Sequence, residues 1–560
     1  MSHCFPSPDL TLARCSGPTL MAEPFVSARP FRQSFKEITP HMSSDVLDTA
    51  HDGAVTGARV ENEFDMWDFV LMLVLVALVV VLHISIPGSI PSGADGGNWL
   101  AIAHGLLGED VMASEVAYPP IFPALLALGL PLLDAVRALL VTALVAKALL
   151  VLAVYICCRP LGRWYSVGAV VCCSVAGAQL EAYAWGGYPQ LMGTAFALLA
   201  VYFAVRWLSV QGLRNLILCL ALGALTFASH ALVGGLLLVA MPLALVHWLL
   251  NARRRRRDIL RAVWIGLAVV IPGGLFVLLT RMSGAEAGVT AVLNPYDVSL
   301  LQSIELAIRD AVVPWVVVTI LGVAALAIRG VKGAREATLS VGSSWAVAGL
   351  TFFLVTGEAR GLLLTQVGLI ILACLTVQRI VEKLGRRDPE DSRKRIHRWA
   401  FPVFATLVIS MVSAIVAGGL VAYEAATEWY RVANDEVLEA LVLLGENSEP
   451  DALVVASSGP NGNPLGWWIQ GYGQRRTYTG IDVRALSFPD ERQQAEIANE
   501  IFAPSTGAAA AHSLITENGI DFLIVDRRGA DASWLGGNVA ATFERLYESP
   551  SVAILRADPS

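Results

Sequence analysis

Eleven apolar runs, each long enough to cross about 30 Å of hydrocarbon, constrain this chain more than any other feature. They lie near residues 67–88, 135–157, 164–180, 190–208, 214–230, 232–250, 259–280, 312–328, 338–356, 361–378 and 399–421. In lipid, where no water satisfies the backbone, runs of this kind are helices. The composition agrees: 55% of the 560 residues are hydrophobic and 16% charged, with a mean hydropathy of +0.59, which puts most of the chain in a membrane. The segment Ile121–Leu133 is also apolar, but it is short and broken by Pro119, Pro120, Pro123 and Pro131, so it is expected to lie in the interface and not to span.

The basic residues set the orientation. Arg159 with Arg163, Arg206 with Arg214, Arg253 to Arg257, Arg329 with Lys332 and Arg335, and the Arg379 to Arg398 cluster fall in alternate loops. An excess of Lys and Arg marks cytoplasmic loops. The N-terminus is therefore expected on the cytoplasmic side of the cell membrane, and an odd number of spans delivers the C-terminal region outside. The net charge of −7 and its patchy distribution give no reason to expect nucleic acid as a partner.

Three regions follow. Residues 1–65 lack helical periodicity and a signal-peptide pattern and are expected to be a disordered cytoplasmic tail. Residues 66–423 form the membrane domain. Residues 424–560 turn to a soluble pattern, with strands at Leu453–Ala456 and Phe522–Val525, an amphipathic helix at Arg492–Phe502 and a hairpin about Ser549-Pro550, which together make a small extracytoplasmic α/β domain. The eight cysteines show no Cys-x-x-Cys spacing and are read as small hydrophobes where they lie in apolar runs.

Chemistry is sought in the loops of the outer face. The first, long loop holds Ser92-Gly93-Ala94-Asp95-Gly96-Gly97-Asn98-Trp99, then His104 and Tyr118-Pro119-Pro120. Asp95, flanked by glycines, is a candidate general base toward a hydroxyl acceptor, or else the cap of a helix starting near Asn98. His104 and Tyr118 are candidate substrate contacts. The second loop, Gln179 to Gln190, holds Glu181, Trp185 and Tyr188. Glu181 either faces a cavity beside Asp95 or sits solvated, and the two aromatics either stack on a sugar ring or belong to an interfacial belt. Arg360 stands on the outer face against the charge bias, where it clamps a phosphate, pairs with Glu358 or snorkels to headgroups. For Arg281 and Arg309, also on that face, the structural readings lead. His230, at the outer end of the fifth run, either lines the site or is an ordinary helix-end histidine. No nucleotide-binding loop, nucleophile elbow or zinc pair occurs, so an enzyme acting here draws its energy from an activated substrate already in the bilayer.

These features together resemble the GT-C superfamily, in its branch of polyprenyl-phosphate-sugar transferases related to protein mannosyltransferases and aminoarabinose transferases. Tyr118-Pro119-Pro120-Ile121-Phe122 is similar to the family's Pro-Pro-Leu-Tyr stretch, and Leu161-Gly162-Arg163 to its Arg-Leu-Phe-Gly-Arg turn. The chain departs from the pattern in having Asp95-Gly96 for Asp-Glu and no lysine before Pro119. The resemblance spans roughly residues 66–420 and implies that Asp95 is the first-loop acid, acting as base or metal ligand, and Glu181 the second-loop acid. It implies transfer of a sugar, with inversion, from a polyprenyl-phosphate donor in the membrane lipid to a cell-envelope glycan, lipid or protein. A divalent cation, Mg or Mn, would sit on Asp95 and Glu181. The competing readings are a transporter or lipid flippase, and a non-catalytic glycan-binding protein using Trp467, Trp468, Tyr472 and Tyr478.

Overall fold

Helix α1 (Met66–Ser85) opens with a reciprocal cap: Asp65 accepts from the Asp68 N–H at 2.9 Å, and Asp68 accepts from the Asp65 N–H at 3.2 Å. The same Asp68, fully buried, accepts two bonds from Arg159, at 2.7 and 2.8 Å, and one from Tyr155 at 2.8 Å. Arg163 adds a longer bond to Asp68, at 3.3 Å. The short basic turn thus ties the start of the first span to the end of the second. This computed structural model describes residues 65–93, 95–108, 118–251, 256–282, 313–326, 328, 331, 333–356, 360–385, 394–459, 462, 464–480 and 489–557. The expected N-terminal tail, Arg281 and Arg309 (apart from the helical backbone at Arg281), and Glu358 lie outside that description.

Helices α2 (Asp95–Leu106) and α3 (Ile121–Gly129) follow α1. At nine residues, α3 is too short to cross a bilayer, as its prolines suggest. Then come α4 (Ala135–Cys158), α5 (Arg163–Ser174), α6 (Gly177–Trp185), α7 (Tyr188–Val210), α8 (Leu213–Ser229), α9 (Ala231–Asn251) and α10 (Arg256–Met282). The membrane part closes with α11 (Val313–Ala325), α12 (Ala334–Thr356), α13 (Arg360–Gly385) and α14 (Lys394–Tyr430). Among the described residues eight helices are long and apolar enough to span, nine if α5 and α6 count as one bent pair. The shorter apolar helices α8 and α11 account for the remaining two runs.

The third run differs from its sequence reading. It is broken into α5 and α6, bent by 43°, where Ser174 and Gly177 leave a weak stretch of helix. Lys147, buried in the middle of α4, donates to the Gln179 carbonyl just past the break at 3.3 Å. Residues 179–185, expected as a loop, are therefore helical.

Two helices meet along a glycine seam. Gly342 and Gly349 on α12 face Gly368 and Gly361 on α13, and a Cβ on any of the four would stand within 3.0 Å of its neighbours. Glycines seven residues apart on both helices let the backbones touch, the usual basis of tight helix pairing in lipid. At the far end of this pair Arg335 of α12 donates to Glu382 of α13 at 2.7 Å and to the Pro160 carbonyl at 3.3 Å. Among the described residues the basic turns at Arg159, Arg335 and Arg379 thus meet at one end of the bundle.

Helix α14 has 37 residues, about 55 Å at 1.5 Å per residue, so it projects well past a bilayer core of about 30 Å. It leads to α15 (Asp435–Glu446), β1 (Leu453–Ala456), α16 (Gly466–Gly471), β2 (Arg476–Thr477), α17 (Pro489–Phe502), α18 (Ala508–Glu517), β3 (Phe522–Asp526), β4 (Glu544–Glu548) and β5 (Val552–Arg556). The sheet order is β2-β1-β3-β5-β4, with β1 parallel to both neighbours and the last three strands antiparallel. The two-residue periodicity divides the core. Val455, Leu523, Val525 and Leu555 pack with Ile501 and Ile515 of α17 and α18. Val454, Ala456, Ile524 and Ile554 join a core that runs on through Leu441 and Trp468 to the membrane helices. Residues 61–560 are accordingly one compact unit.

Candidate active site

Asp95 is the first residue of α2, at the helix end whose unpaired N–H groups carry partial positive charge. The backbone before it is held from three sides. Tyr188 donates to the Ser92 carbonyl at 3.3 Å. The Gly93 N–H donates to the Tyr430 carbonyl, at the end of α14, at 2.9 Å, and its own carbonyl accepts from the Trp468 indole at 3.1 Å. Gly93 has φ +105°, and a Cβ there would lie 2.2 Å from the Trp185 carbonyl oxygen, so no other residue fits. Beyond Asp95, the Trp99 indole donates to the Gly186 carbonyl at 2.6 Å. The turn after α6 is thereby pressed against Asp95.

Arg360 is the first residue of α13, next to Gly361 of the seam, so the seam fixes its height. Its guanidinium lies 4.9 Å from the centre of the Trp185 ring, an attractive cation–π distance. His230 fills the break between α8 and α9 with extended backbone, and its Nδ1 accepts from the Val233 N–H at 3.4 Å. That assigns the proton of the neutral ring to Nε2. The Tyr118 ring sits 6.1 Å from the His230 ring and 4.5 Å from Trp99.

Electrostatics couples these groups. Burial pushes the Asp95 carboxyl up to about 6, with the Arg360 charge opposing. Burial drives the His230 imidazole down to about 3, helped by Arg360, so it is neutral near pH 7. Burial also raises the Tyr118 phenol, Asp95 adds to the rise and Arg360 opposes it. Asp95, Tyr118, Trp185, His230 and Arg360 are each partly exposed, set in a frame of buried side chains. The arrangement offers a carboxylate near neutrality, a permanent cation and two neutral hydrogen-bond donors at one place. It suits proton removal beside a phosphate.

The other expected residues are placed differently. Glu181 lies on α6 and accepts from the Tyr430 hydroxyl at 3.2 Å, about 7 Å along the helix axis from Gly186, the residue against Asp95. Tyr188 is fully buried, its ring 5.1 Å from Tyr183 and 5.6 Å from Phe122; it supports Ser92 and shows no face to a sugar. His104 is buried at the far end of α2, about 13.5 Å and half a turn from Asp95. Among the described residues no three His, Cys, Asp or Glu groups come together as a metal cage. Asp95 and Glu181, the two acids that the sequence suggested for a divalent cation, thus belong to no such group among the described residues.

Trp99, Tyr430, Trp468 and the α12–α13 glycines are the residues that sequence reading did not assign to the site. The glycine spacing of seven was the legible signal; the roles of Tyr430 and Trp468 depend on contacts made across more than 300 residues of chain.

No family model and no curated protein matches the sequence. Among solved structures, ArnT from Cupriavidus metallidurans, bound to undecaprenyl phosphate, superposes with a TM-score of 0.54 at 14% identity over 88% of this chain and 98% of that one. The oligosaccharyltransferase AglB from Archaeoglobus fulgidus, in complex with an inhibitory peptide and a dolichol-phosphate, aligns at 10% identity and a TM-score of 0.48 over 88% of this chain and 75% of that one. The ArnT likeness runs over nearly the whole of both chains and is one of fold.

Proposed function

From the GT-C fold that this multi-pass membrane protein has, we propose that it is a glycosyltransferase moving a sugar from a polyprenyl-phosphate donor to a cell-envelope acceptor. The observation that carries the reading is the convergence of Asp95, Tyr118, His230 and Arg360, from four separate stretches of chain, at the end of the bundle opposite the arginine turns. With those turns cytoplasmic, the site faces outward and residues 424–560 form an extracytoplasmic domain above it.

In the proposed reaction Asp95 takes the proton of the acceptor hydroxyl as its oxygen bonds to the anomeric carbon. The bond from that carbon to the phosphate oxygen breaks on the opposite side, inverting the centre. The electron pair leaves on polyprenyl phosphate, whose growing charge meets the fork of Arg360 and the Nε2–H of His230. The fold of ArnT, a structure bound to undecaprenyl phosphate, supports the lipid donor.

A lipid flippase is the second reading. It is favoured by the broken α5–α6 helix with buried Lys147 at the break, since broken helices and mid-membrane charges mark transport paths. One preparation separates the two. Purified protein in vesicles is given a panel of polyprenyl-phosphate sugars, and both sugar release and donor movement between leaflets are measured for wild type and Asp95→Ala. Release that the substitution abolishes supports the transferase; leaflet exchange without release, unaffected by Asp95→Ala, refutes it. The glycan-scaffold reading has less support, because Trp467, Trp468 and Tyr478 are buried and only Tyr472 of the four aromatics is partly exposed.

A further inference from the structure

Asp95 belongs to the membrane part, yet what holds its helix comes from the far end of the sequence. Helix α16, Gly466-Trp467-Trp468-Ile469-Gln470-Gly471, lies directly on α2. A Cβ on Gly97 would stand 2.5 Å from the Trp467 carbonyl carbon, and one on Gly471 would stand 2.2 Å from the Gly97 carbonyl oxygen. The two backbones touch, and neither helix can shift without moving the other. Gly96 faces the Trp468 ring at 3.0 Å in the same sense. The Trp468 indole then reaches to the Gly93 carbonyl at 3.1 Å, two residues before Asp95, while the other polar group of Gly93 is taken by Tyr430. Trp468 itself is completely buried.

We infer that Trp468 is a positioning residue: through Gly93 and the glycine face of α2, the C-terminal domain sets where Asp95 stands in the site. A loop of glycines cannot hold a carboxylate still, because glycine has the widest backbone freedom of any residue. The large indole fills the space beside Gly96 and its N–H occupies the Gly93 carbonyl, so the freedom that lets the loop pack closely is cancelled from outside. The domain is on this account a working wall of the site. A misplacement of about 1 Å from a change remote from the chemistry costs on the order of 100-fold in rate.

This rests on Asp95 being the base, and the test keeps the two ideas apart. Among the described residues the titratable groups around Asp95 are Tyr118, Arg360 on α13, His230 at the α8–α9 break, Tyr188 on α7, Glu181 on α6 and Tyr430 on α14; α16 brings none. Full-length protein is made with Trp468→Phe, which keeps the ring and removes the N–H. Trp534→Phe is the control, since its indole donates to the Ile501 carbonyl at 3.1 Å in the other core of the same domain. Two readouts are taken: kcat and donor KM, and the pH dependence of carbodiimide labelling of Asp95, which needs the protonated acid and no turnover. Trp468→Phe is expected to lower kcat by about 10- to 100-fold with KM little changed. A looser α2 admits water, so the labelling midpoint should fall by about one pH step, which lowers the rate at pH 6 about fivefold. Trp534→Phe should move neither. Equal kcat and midpoint in wild type and Trp468→Phe would overturn the inference while leaving Asp95 as base, and so would equal shifts in both variants. If wild type transfers no sugar, the enzyme reading fails and the labelling still decides whether Trp468 places Asp95. Should Trp468→Phe not fold, Gly471→Ala opens the same contact and carries the same expectations.

Discussion

Replacing Asp95 with asparagine should make the protein more stable at neutral pH while removing its activity. Burial holds the Asp95 carboxyl at about 6, against about 3.9 for a free aspartate. The folded state therefore binds a proton more tightly than the unfolded chain. Stability is greatest below about pH 4, where both states are protonated, and is lost as pH rises through 6, where the folded state must hold a poorly solvated charge. At about 1.4 kcal/mol for each tenfold change in the acidity constant, the displacement costs about 3 kcal/mol by pH 8. The figure already contains the attraction of Arg360. On the entropy scaling of globular proteins, a unit of about 500 residues melts with about 1 kcal/mol/K, so Asp95→Asn should gain about 3 °C at pH 8 and nothing at pH 4. Thermal unfolding of both proteins in one detergent, at intervals from pH 4 to 8, measures this. Parallel curves across the whole range would refute the raised pKa of this partly buried carboxyl.

Other changes should act at separate points. Arg360→Gln is expected to lower kcat/KM by about 100- to 1000-fold and to shift the rising limb of the pH–rate curve upward, because the cation favouring the carboxylate is gone; Arg360→Lys should recover part of the rate, as a point charge without the fork. Gly361→Leu forces a side chain where a Cβ already stands 2.7 Å from the Phe353 nitrogen, so it should cost about 1–3 kcal/mol in melting experiments and raise donor KM by displacing Arg360. Asp68→Ala removes the acid that joins Arg159, Arg163 and Tyr155; with the arginines 23% and 29% exposed, a loss of about 2 kcal/mol is expected, below the 3–5 of a fully buried pair, with kcat unchanged in the folded fraction.

The membrane fold was legible because it is written in run length and in the alternation of arginine turns. Asp68 with Arg159 and Arg163, and Arg335 with Glu382, show those turns meeting at one end. The strands and the hairpin of the C-terminal region were legible too, since their periodicity of two is local. The break between α5 and α6 was not, because an apolar run through Ser174 and Gly177 reads as one span until the partner at Lys147 is known. At the site, acids and an arginine in outer loops are unusual enough to be noticed singly. Their assembly depends on the glycine seam for Arg360 and on Trp468 and Tyr430 for Asp95, all long-range contacts with no local pattern. Tyr188 and His104 show the converse: polar residues in the right loops, buried on faces that a linear reading cannot see.

The most direct test of the account is the rate of sugar transfer from a polyprenyl-phosphate donor, followed from pH 4 to 9 in vesicles with wild type and Asp95→Asn. The wild-type rate should climb through about pH 6 to a plateau, as the base loses its proton, and Asp95→Asn should fall about 100- to 10,000-fold with no such limb. A pH-independent wild-type rate, a limb that survives in Asp95→Asn, or no transfer from any donor of this class would contradict it.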